Sequence, residues 1–400
     1  MMKRYTLFIF AALMLAATAC RDHSLDLTNP NDVTYTKPSE QFQAIWNGIN
    51  NSYAFWDIDP TDWDAIYDEY LPLFYALDDL ATSGDTIPTE KLKSYYTEIC
   101  RNFIDHHMAI WLKNQWHGTN DEQKIKISPS TMEAKTRNYY HERYGDSLVI
   151  NCVANLANTE YVYACDKEKN SILVANIDGV AYMKLSGYML TEMNYKSDSL
   201  SVAIMDAYEK FYEMLQDDDL KGVILDNRGN GGGYVADMNY VITPFIDGDL
   251  KIGDTRRKEG LGRYDYSPWI PFIVRDNDSL SVTDVTIVAL ADLNSVSMGE
   301  ITTYAISLLP NGCVVGERTW GGNGPLLGDF NINYGGTFGD RTFEKVSHFV
   351  YTSTDVLRLA DGEIHEGKGI TPNIEVLYDA EQMQAGTDVQ LNAALDYILR

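Results

Sequence analysis

The chain has 400 residues, 45% of them hydrophobic and 22% charged, enough for one large domain and a smaller one. Its formal net charge is −26 at pH 7. The phosphate backbone repels a polyanion of that size, so no nucleic-acid partner is expected. The acidic residues are scattered, with short clusters such as Asp217-Asp218-Asp219, and read as solvated surface.

Residues 1 to 19 read as a targeting segment: Lys3 and Arg4 precede an apolar run from Tyr5 to Ala19. Such a run is too short for a comfortable span, which needs about 20 residues. It ends in Ala17-Thr18-Ala19-Cys20, which resembles the signal of bacterial lipoproteins. That resemblance implies acylation at Cys20, a lipid anchor in the membrane, and a place in the bacterial cell envelope on its periplasmic face or the cell surface. Even as an ordinary cleaved signal, the segment implies export. Export permits disulfides among Cys100, Cys152, Cys165 and Cys313. Cys152 and Cys165 flank an expected hairpin and are candidates to pair.

Residues 20 to 38 are polar and read as a tether. Residues 39 to 107 read as an N-terminal helical domain. Phe42, Ile45, Trp46 and Ile49 recur at helical spacing, as do Trp63, Ile66, Tyr67 and Tyr70, and a third helix is expected from Lys91 to about Phe103. The aspartates at 57, 59, 62 and 64 lack the glycine and distal glutamate of a calcium loop, so capping and surface roles are expected. Residues 108 to 175 read as strand and loop, with β-rich runs at Leu148-Val149-Ile150, Tyr161-Val162-Tyr163 and Ile172-Leu173-Val174.

From 176 to 380 strands and helices alternate, which indicates an α/β core. Val180 to Met183, Val223-Ile224-Leu225, Val285 to Leu290 and Val314-Val315 are the strands. Helices are expected around Ile204 to Leu215, around Val235, Met238 and Val241, and from Met298 to Leu309. Residues 381 to 400 read as a C-terminal helix.

Two loops in this core could carry chemistry. Ser295-Val296-Ser297-Met298-Gly299-Glu300 puts a serine at a sharp strand-to-helix turn, where the helix N-terminus would favour a developing oxyanion. The bland alternative is a helix cap. Asp226-Asn227-Arg228-Gly229-Asn230-Gly231-Gly232-Gly233 follows a buried strand, and its glycines allow close backbone approach to a ligand. Tyr234 stands where a dinucleotide loop would need its third glycine.

Together with Gly316-Glu317-Arg318-Thr319-Trp320-Gly321 and Glu366-Gly367-Lys368-Gly369-Ile370-Thr371-Pro372-Asn373, these loops resemble the motifs of the tail-specific, or carboxyl-terminal processing, serine peptidases and their tricorn-core relatives. The resemblance implies a crotonase/ClpP-like α/β spiral core behind the helical cap, and acyl transfer on peptide or protein substrates. It aligns Ser297 with the nucleophile. It assigns the oxyanion hole to Gly232 or Gly233 with the amide of Met298. No metal and no other cofactor is required. The segment from 110 to 175 is too short for a complete PDZ domain, and none is expected.

One departure matters. The processing peptidases carry a lysine base where this chain has Gly322, and a serine hydroxyl without a base is a weak nucleophile. The tricorn-type branch takes a histidine from the segment before the core. Asp105-His106-His107-Met108 resembles that stretch and implies His107 as base, with His365 in reserve. Glu366 stands where that branch carries an acid, with Asp105 as its rival. The reading from another class is a non-catalytic peptide- or ligand-binding lipoprotein that keeps the peptidase fold.

Overall fold

The structure is a computed structural model that describes residues 30–31, 33–116, 123–129, 143–156, 159–277, 280–328 and 330–400. The targeting segment and Cys20 lie outside these residues. Among the described residues, no helix is long and apolar enough to cross a membrane.

Three helices, Pro38–Ser52, Trp63–Ser83 and Thr89–Ile99, open the cap. The first starts where the chemistry of its N-terminus says it should: Pro38 sits in the first turn, and Glu40 folds back to accept from the Thr36 and Lys37 amides at 2.8 and 3.2 Å. The second begins at Asp62, whose carboxylate takes the Ala65 amide, and stops at Gly84 in the left-handed conformation. Their apolar stripes meet in a largely aromatic interior that includes Phe42, Trp63, Phe74, Tyr96 and Phe103. Phe42 and Phe74 stack with centroids 4.6 Å apart. The aspartates of residues 57–64 serve as the sequence suggests: Asp62 caps, Asp64 meets Arg263 at 2.6 Å, and Asp59 takes the Tyr53 hydroxyl at 2.6 Å.

The helices rest on a four-stranded sheet whose strands come from two distant parts of the chain. Ala109–Asn114 pairs antiparallel with both Gln123–Ile127 and His348–Tyr351, and the last of these also pairs with Phe338–Gly339. The strand at 109 begins directly after the Asp105-His106-His107 turn, so register with residues 348–351 fixes where that turn sits.

The α/β core is a seven-stranded sheet. Ile374–Glu375, Gly312–Gly316, Thr286–Ala291, Gly222–Asp226 and Val180–Leu185 run parallel in that order, and Ser171–Ile177 and Thr159–Cys165 extend it antiparallel. Both faces are covered, which explains the continuous apolar strand runs. Val223 and Leu225 face the helices Ser199–Met214 and Met298–Ser307, while Ile224 faces Asp146–Ala154 and Val389–Ile398. A smaller sheet joins Asp355–Leu359, Leu250–Arg257 and Ile270–Val274.

The described part of residues 108–175 is shared between the cap sheet, the helix Asp146–Ala154 and the core sheet, and no PDZ-like unit stands there. Other expectations change. Leu148-Val149-Ile150 lies inside that helix and not in a strand. A short apolar run does not by itself distinguish the two, and Val149, Cys152 and Val153 satisfy a helical face against the core. The hairpin expected to join Cys152 and Cys165 is therefore absent, and all four described cysteines are free. Cys152 instead packs its sulfur 3.5 Å from that of Met383. The segment around Val235 splits into a 3₁₀ turn, Val235–Asp237, and a short helix, Met238–Val241. The C-terminal helix is two helices, Ala380–Gln384 and Val389–Ile398, separated by Gly386 at φ 84° and each capped by an aspartate.

Candidate active site

The parallel strand Thr286–Ala291 ends, the chain turns, and Met298–Ser307 begins with Ser297 at its N-cap. Ser297 has φ 55° and ψ −121°, and its side chain makes no capping bond. A non-glycine residue in that region costs of order 1–3 kcal/mol and persists only when its surroundings hold it. Here they do: the Ser297 amide donates to Gly322 O at 2.8 Å, and the Val296 amide donates to Asn230 O at 2.9 Å. The hydroxyl is left at a half-exposed helix N-terminus. Ser295, by contrast, is fully buried and gives its hydroxyl to Asn227 O at 2.8 Å, so it shapes the turn.

The glycine-rich loop lies against this serine. A Cβ on Gly232 would come 2.6 Å from Ser297 Cβ and 3.1 Å from the Met298 nitrogen. Asn230 links the two loops: its Oδ1 takes the Gly232 amide at 2.9 Å, its Nδ2 donates to Leu185 O at 3.1 Å, and its carbonyl takes Val296. Gly233, at φ 145°, bridges Tyr188, with Tyr188 N donating to Gly232 O at 2.8 Å and Tyr234 N donating to Tyr188 O at 2.9 Å. That pattern turns the amide of Gly233 away from Tyr188. Asp226 and Arg228 are buried beneath the loop in a two-bond pair at 2.6 and 2.8 Å, a scaffold remote from solvent. The Arg228 guanidinium and Lys184 ammonium beside Asp226 outweigh its burial and hold its carboxyl below the usual carboxylate range.

Glu300 was visible in the sequence as the end of the serine motif, but its task was not. Its carboxylate accepts from Thr319 Oγ1 at 2.5 Å, Gly321 N at 2.7 Å and Gly322 N at 2.6 Å. One turn into the helix that starts at Ser297, it holds the next motif in place. At Gly322 there is little room for a side chain: a Cβ would lie 3.0 Å from Trp320 Cδ1, 3.3 Å from Val296 Cγ1 and 3.4 Å from His106 Cβ. The space there is filled from both sides, by Trp320 and Val296 of the core and His106 of the cap. The two buried lysines among the described residues are committed elsewhere, Lys184 to Arg228 O and Asp226, and Lys258 to the carbonyls of Gly260 and Gly262.

Residues 105–108 form a turn, closed by the Met108 amide donating to Asp105 O at 3.1 Å. One side-chain atom each of Asp105, His107 and Glu366 lies within 4.8 Å of the others. Asp105 is saturated by Thr352 Oγ1, the Ser353 amide and hydroxyl, and the His107 amide, at 2.5 to 3.0 Å. That leaves it little capacity to ligate a cation and makes it an anchor for the turn. Glu366 is buried and accepts from His106 N at 2.9 Å, Asn323 N at 2.9 Å and Gly324 N at 2.8 Å. Burial, with Asp105 and Glu300 nearby, pushes its carboxyl well above the usual range against the pull of the His106 and Gly324 amides. His106 is buried, with Nδ1 3.1 Å from Trp320 O and its ring 5.1 Å from the indole. His365 stands apart, with Nε2 2.7 Å from Asp361.

A single peptide unit ties the two groups together: Gly322 O receives the Ser297 amide at 2.8 Å, and the adjoining Asn323 amide reaches Glu366 at 2.9 Å. The serine turn and the His107–Glu366 cluster thus share one rigid loop.

Residues 179–376 match the model of peptidase family S41. Tricorn protease of Thermoplasma acidophilum is 26% identical over 196 residues, which cover 49% of this chain and 16% of that protein, so the chain spans about a sixth of this relative's length. A candidate peptidase from Parabacteroides merdae has a similar structure, with a TM-score of 0.63 at 19% identity over 92% of this chain and 98% of that one. Mature CPAF is similar with a TM-score of 0.57 at 11% identity, over 90% of this chain and 95% of that one. At such identities these two structures speak to the fold, and the sequence match speaks to descent. The match to peptidase family S41 thus covers just under half of the chain, residues 179–376.

Proposed function

We propose that the protein hydrolyses peptide bonds of exported proteins or peptides through an acyl-enzyme on Ser297, with His107 as general base and Glu366 as the acid that orients it. Members of the family are serine peptidases. The observation that carries the reading to this chain is Ser297 itself: a strained N-cap whose hydroxyl caps nothing, in a loop shared with the His107–Glu366 cluster.

In this mechanism Ser297 Oγ attacks the carbonyl carbon of the scissile bond while its proton passes to the His107 imidazole. The oxyanion meets the Met298 amide and a glycine-loop amide, for which Gly233 is better placed than Gly232, whose amide is already bonded to Asn230. His107 then protonates the leaving amine, and the ester remains on Ser297. Water, deprotonated by the same imidazole, releases the acid and restores the hydroxyl. Glu366, fixed by three amides beside His107, keeps the imidazole oriented. The crowding at Gly322 supports a histidine base in place of a lysine. Cys20 attaches the protein to a membrane of the cell envelope, with the peptidase in an exported compartment.

A fluorophosphonate probe tests the chemistry. The wild-type protein is expected to be labelled once per chain, and Ser297→Ala to be neither labelled nor able to cleave a casein or quenched-peptide substrate. An unlabelled, inert wild type would instead favour a binding protein. Palmitate labelling that persists in Cys20→Ala would remove the anchor.

A further inference from the structure

The last helix, Val389–Ile398, lies beyond the segment that matches the family, yet its first turn reaches the glycine-rich loop through Asp388 and Gln390. Asp388 is its N-cap, with Oδ1 accepting from the Gln390 and Leu391 amides at 3.1 and 3.0 Å. The same carboxylate holds Arg228: Oδ1 is 2.9 Å from Nη1, and Oδ2 is 2.8 Å from Nη2. Gln390 Oε1 adds a contact to Nη1 at 3.0 Å and takes the Tyr144 hydroxyl at 2.7 Å. Tyr144 lies against the guanidinium face, 4.7 Å from ring centroid to Cζ.

Arg228 has no exposed surface, and Asp388 is 5% exposed. A buried cation needs its partners, and removing one leaves an uncompensated charge. This guanidinium is shared by two carboxylates, Asp226 at the end of its own strand and Asp388 from the terminal helix. On the other side, the Arg228 carbonyl receives Lys184 Nζ, and Gly229 N is held by Asp292 Oδ1 at 2.8 Å. Asn230 and Gly232 follow directly and touch the Ser297 turn. A shift of Arg228 would therefore be passed along a short stretch, bonded at Gly229, Asn230 and Gly232, to the oxyanion donors.

We infer that Asp388 is a positioning residue for catalysis: through Arg228, the terminal helix sets the glycine-rich loop against Ser297. This rests on the serine chemistry proposed above. Full-length wild type, Asp388→Asn, Gln390→Ala and Asp379→Asn are compared for kcat and KM on a quenched fluorescent peptide, for fluorophosphonate labelling rate, and for folded fraction by circular dichroism. Asparagine keeps the cap but not the charge. Asp379 caps the neighbouring helix Ala380–Gln384 and serves as control.

Asp388→Asn is expected to lower kcat and labelling rate together, about tenfold or more, with KM within about twofold, because small misplacements of reacting groups cost that much. Gln390→Ala is expected to lower kcat less, and stands in as the test if Asp388→Asn does not fold. Asp379→Asn should change neither constant. An active wild type with kcat unaltered in folded Asp388→Asn, or in Gln390→Ala where the first variant is unfolded, overturns the inference alone. A wild type inert to both peptide and probe overturns the serine reading and the inference with it.

Discussion

The core and the cap place their contributions to the site by different means. In the core, strand, turn and helix are consecutive, so the Ser297 turn has a local frame that Asn230 and Gly322 then pin: a buried parallel strand ends at Ala291 and Met298 starts a helix seven residues later. In the cap, the turn at Asp105-His106-His107 has no such local frame. It is held by residues from the far side of the sequence, Thr352 and Ser353 on Asp105 and Glu366 on the His106 amide. The proposed nucleophile thus rests mainly on a local frame and the proposed base on long-range bonds. The core should tolerate perturbation of the cap, while the base should be lost easily.

Loss of the base gives the largest expected effect. His107→Ala should lower turnover by about 10⁴-fold, as removal of one member of a catalytic set does. It should leave binding of a peptide to the Ser297→Ala protein unchanged, measured by fluorescence anisotropy. His106→Ala should cost far less, since that ring packs on Trp320. Equal losses in the two variants would break the assignment.

Gly232→Ala challenges the core side. Its Cβ would lie 2.6 Å from that of Ser297, and the backbone there has φ 97°. Turnover should drop about 10²-fold, because the added methyl displaces Ser297 and the neighbouring oxyanion donors, with circular dichroism near that of wild type. Gly233 is less informative, because a Cβ there meets Tyr188 O at 2.0 Å and the backbone itself must shift.

Glu300→Gln probes the loop that joins the two sides. The substituted amide would turn its NH₂ toward one of the N–H or O–H donors now satisfied by the carboxylate. A buried mismatch of this kind costs about 1–3 kcal/mol. Stability by urea denaturation should fall by that amount and turnover by about tenfold, whereas unchanged turnover would mean that the loop does not couple cap to core.

The smallest effect belongs to the cap alone. His348 is buried on its central strand, with the Tyr35 hydroxyl 2.9 Å from Nδ1, and burial pushes its imidazole down to about 4. A depressed folded-state pKa means that the related stability is present above about pH 6.5 and is lost as pH falls toward 4. The loss amounts to about 3 kcal/mol at most. The wild type should therefore lose more stability than His348→Gln between pH 7 and pH 4.5, by chemical denaturation at both values. Equal losses would show that His348 does not report on the cap.

Much of the core was legible in the sequence because it is local. The apolar runs at 223–225 and 285–290 and the glycine and serine turns carry their meaning within a few residues, and the strands and the Ser297 N-cap stand where those signals put them. Leu148-Val149-Ile150 shows where this ends, since three apolar residues suit a strand or a helix equally and packing against the core decided for the helix. The Cys152–Cys165 pairing failed with it. The site was legible only in part. That Glu300 organises residues 319–322, that Asp105 is consumed by Thr352 and Ser353, and that Asp388 reaches Arg228 depends on contacts across tens to hundreds of positions, which no spacing rule encodes.

The amino-acid order alone therefore settled the charge class, the alternation of strands and helices in the core, and the chemical character of Ser297 and the glycine loop. Each follows from side-chain chemistry and backbone freedom within a few residues. Tertiary structure alone decided that the cap sheet is completed by residues 338–351, that Asp105, His107 and Glu366 meet, and that Trp320, Val296 and His106 crowd Gly322. Those outcomes depend on which buried surfaces and which carboxylates find partners once the chain is compact, and burial is a property of the whole fold.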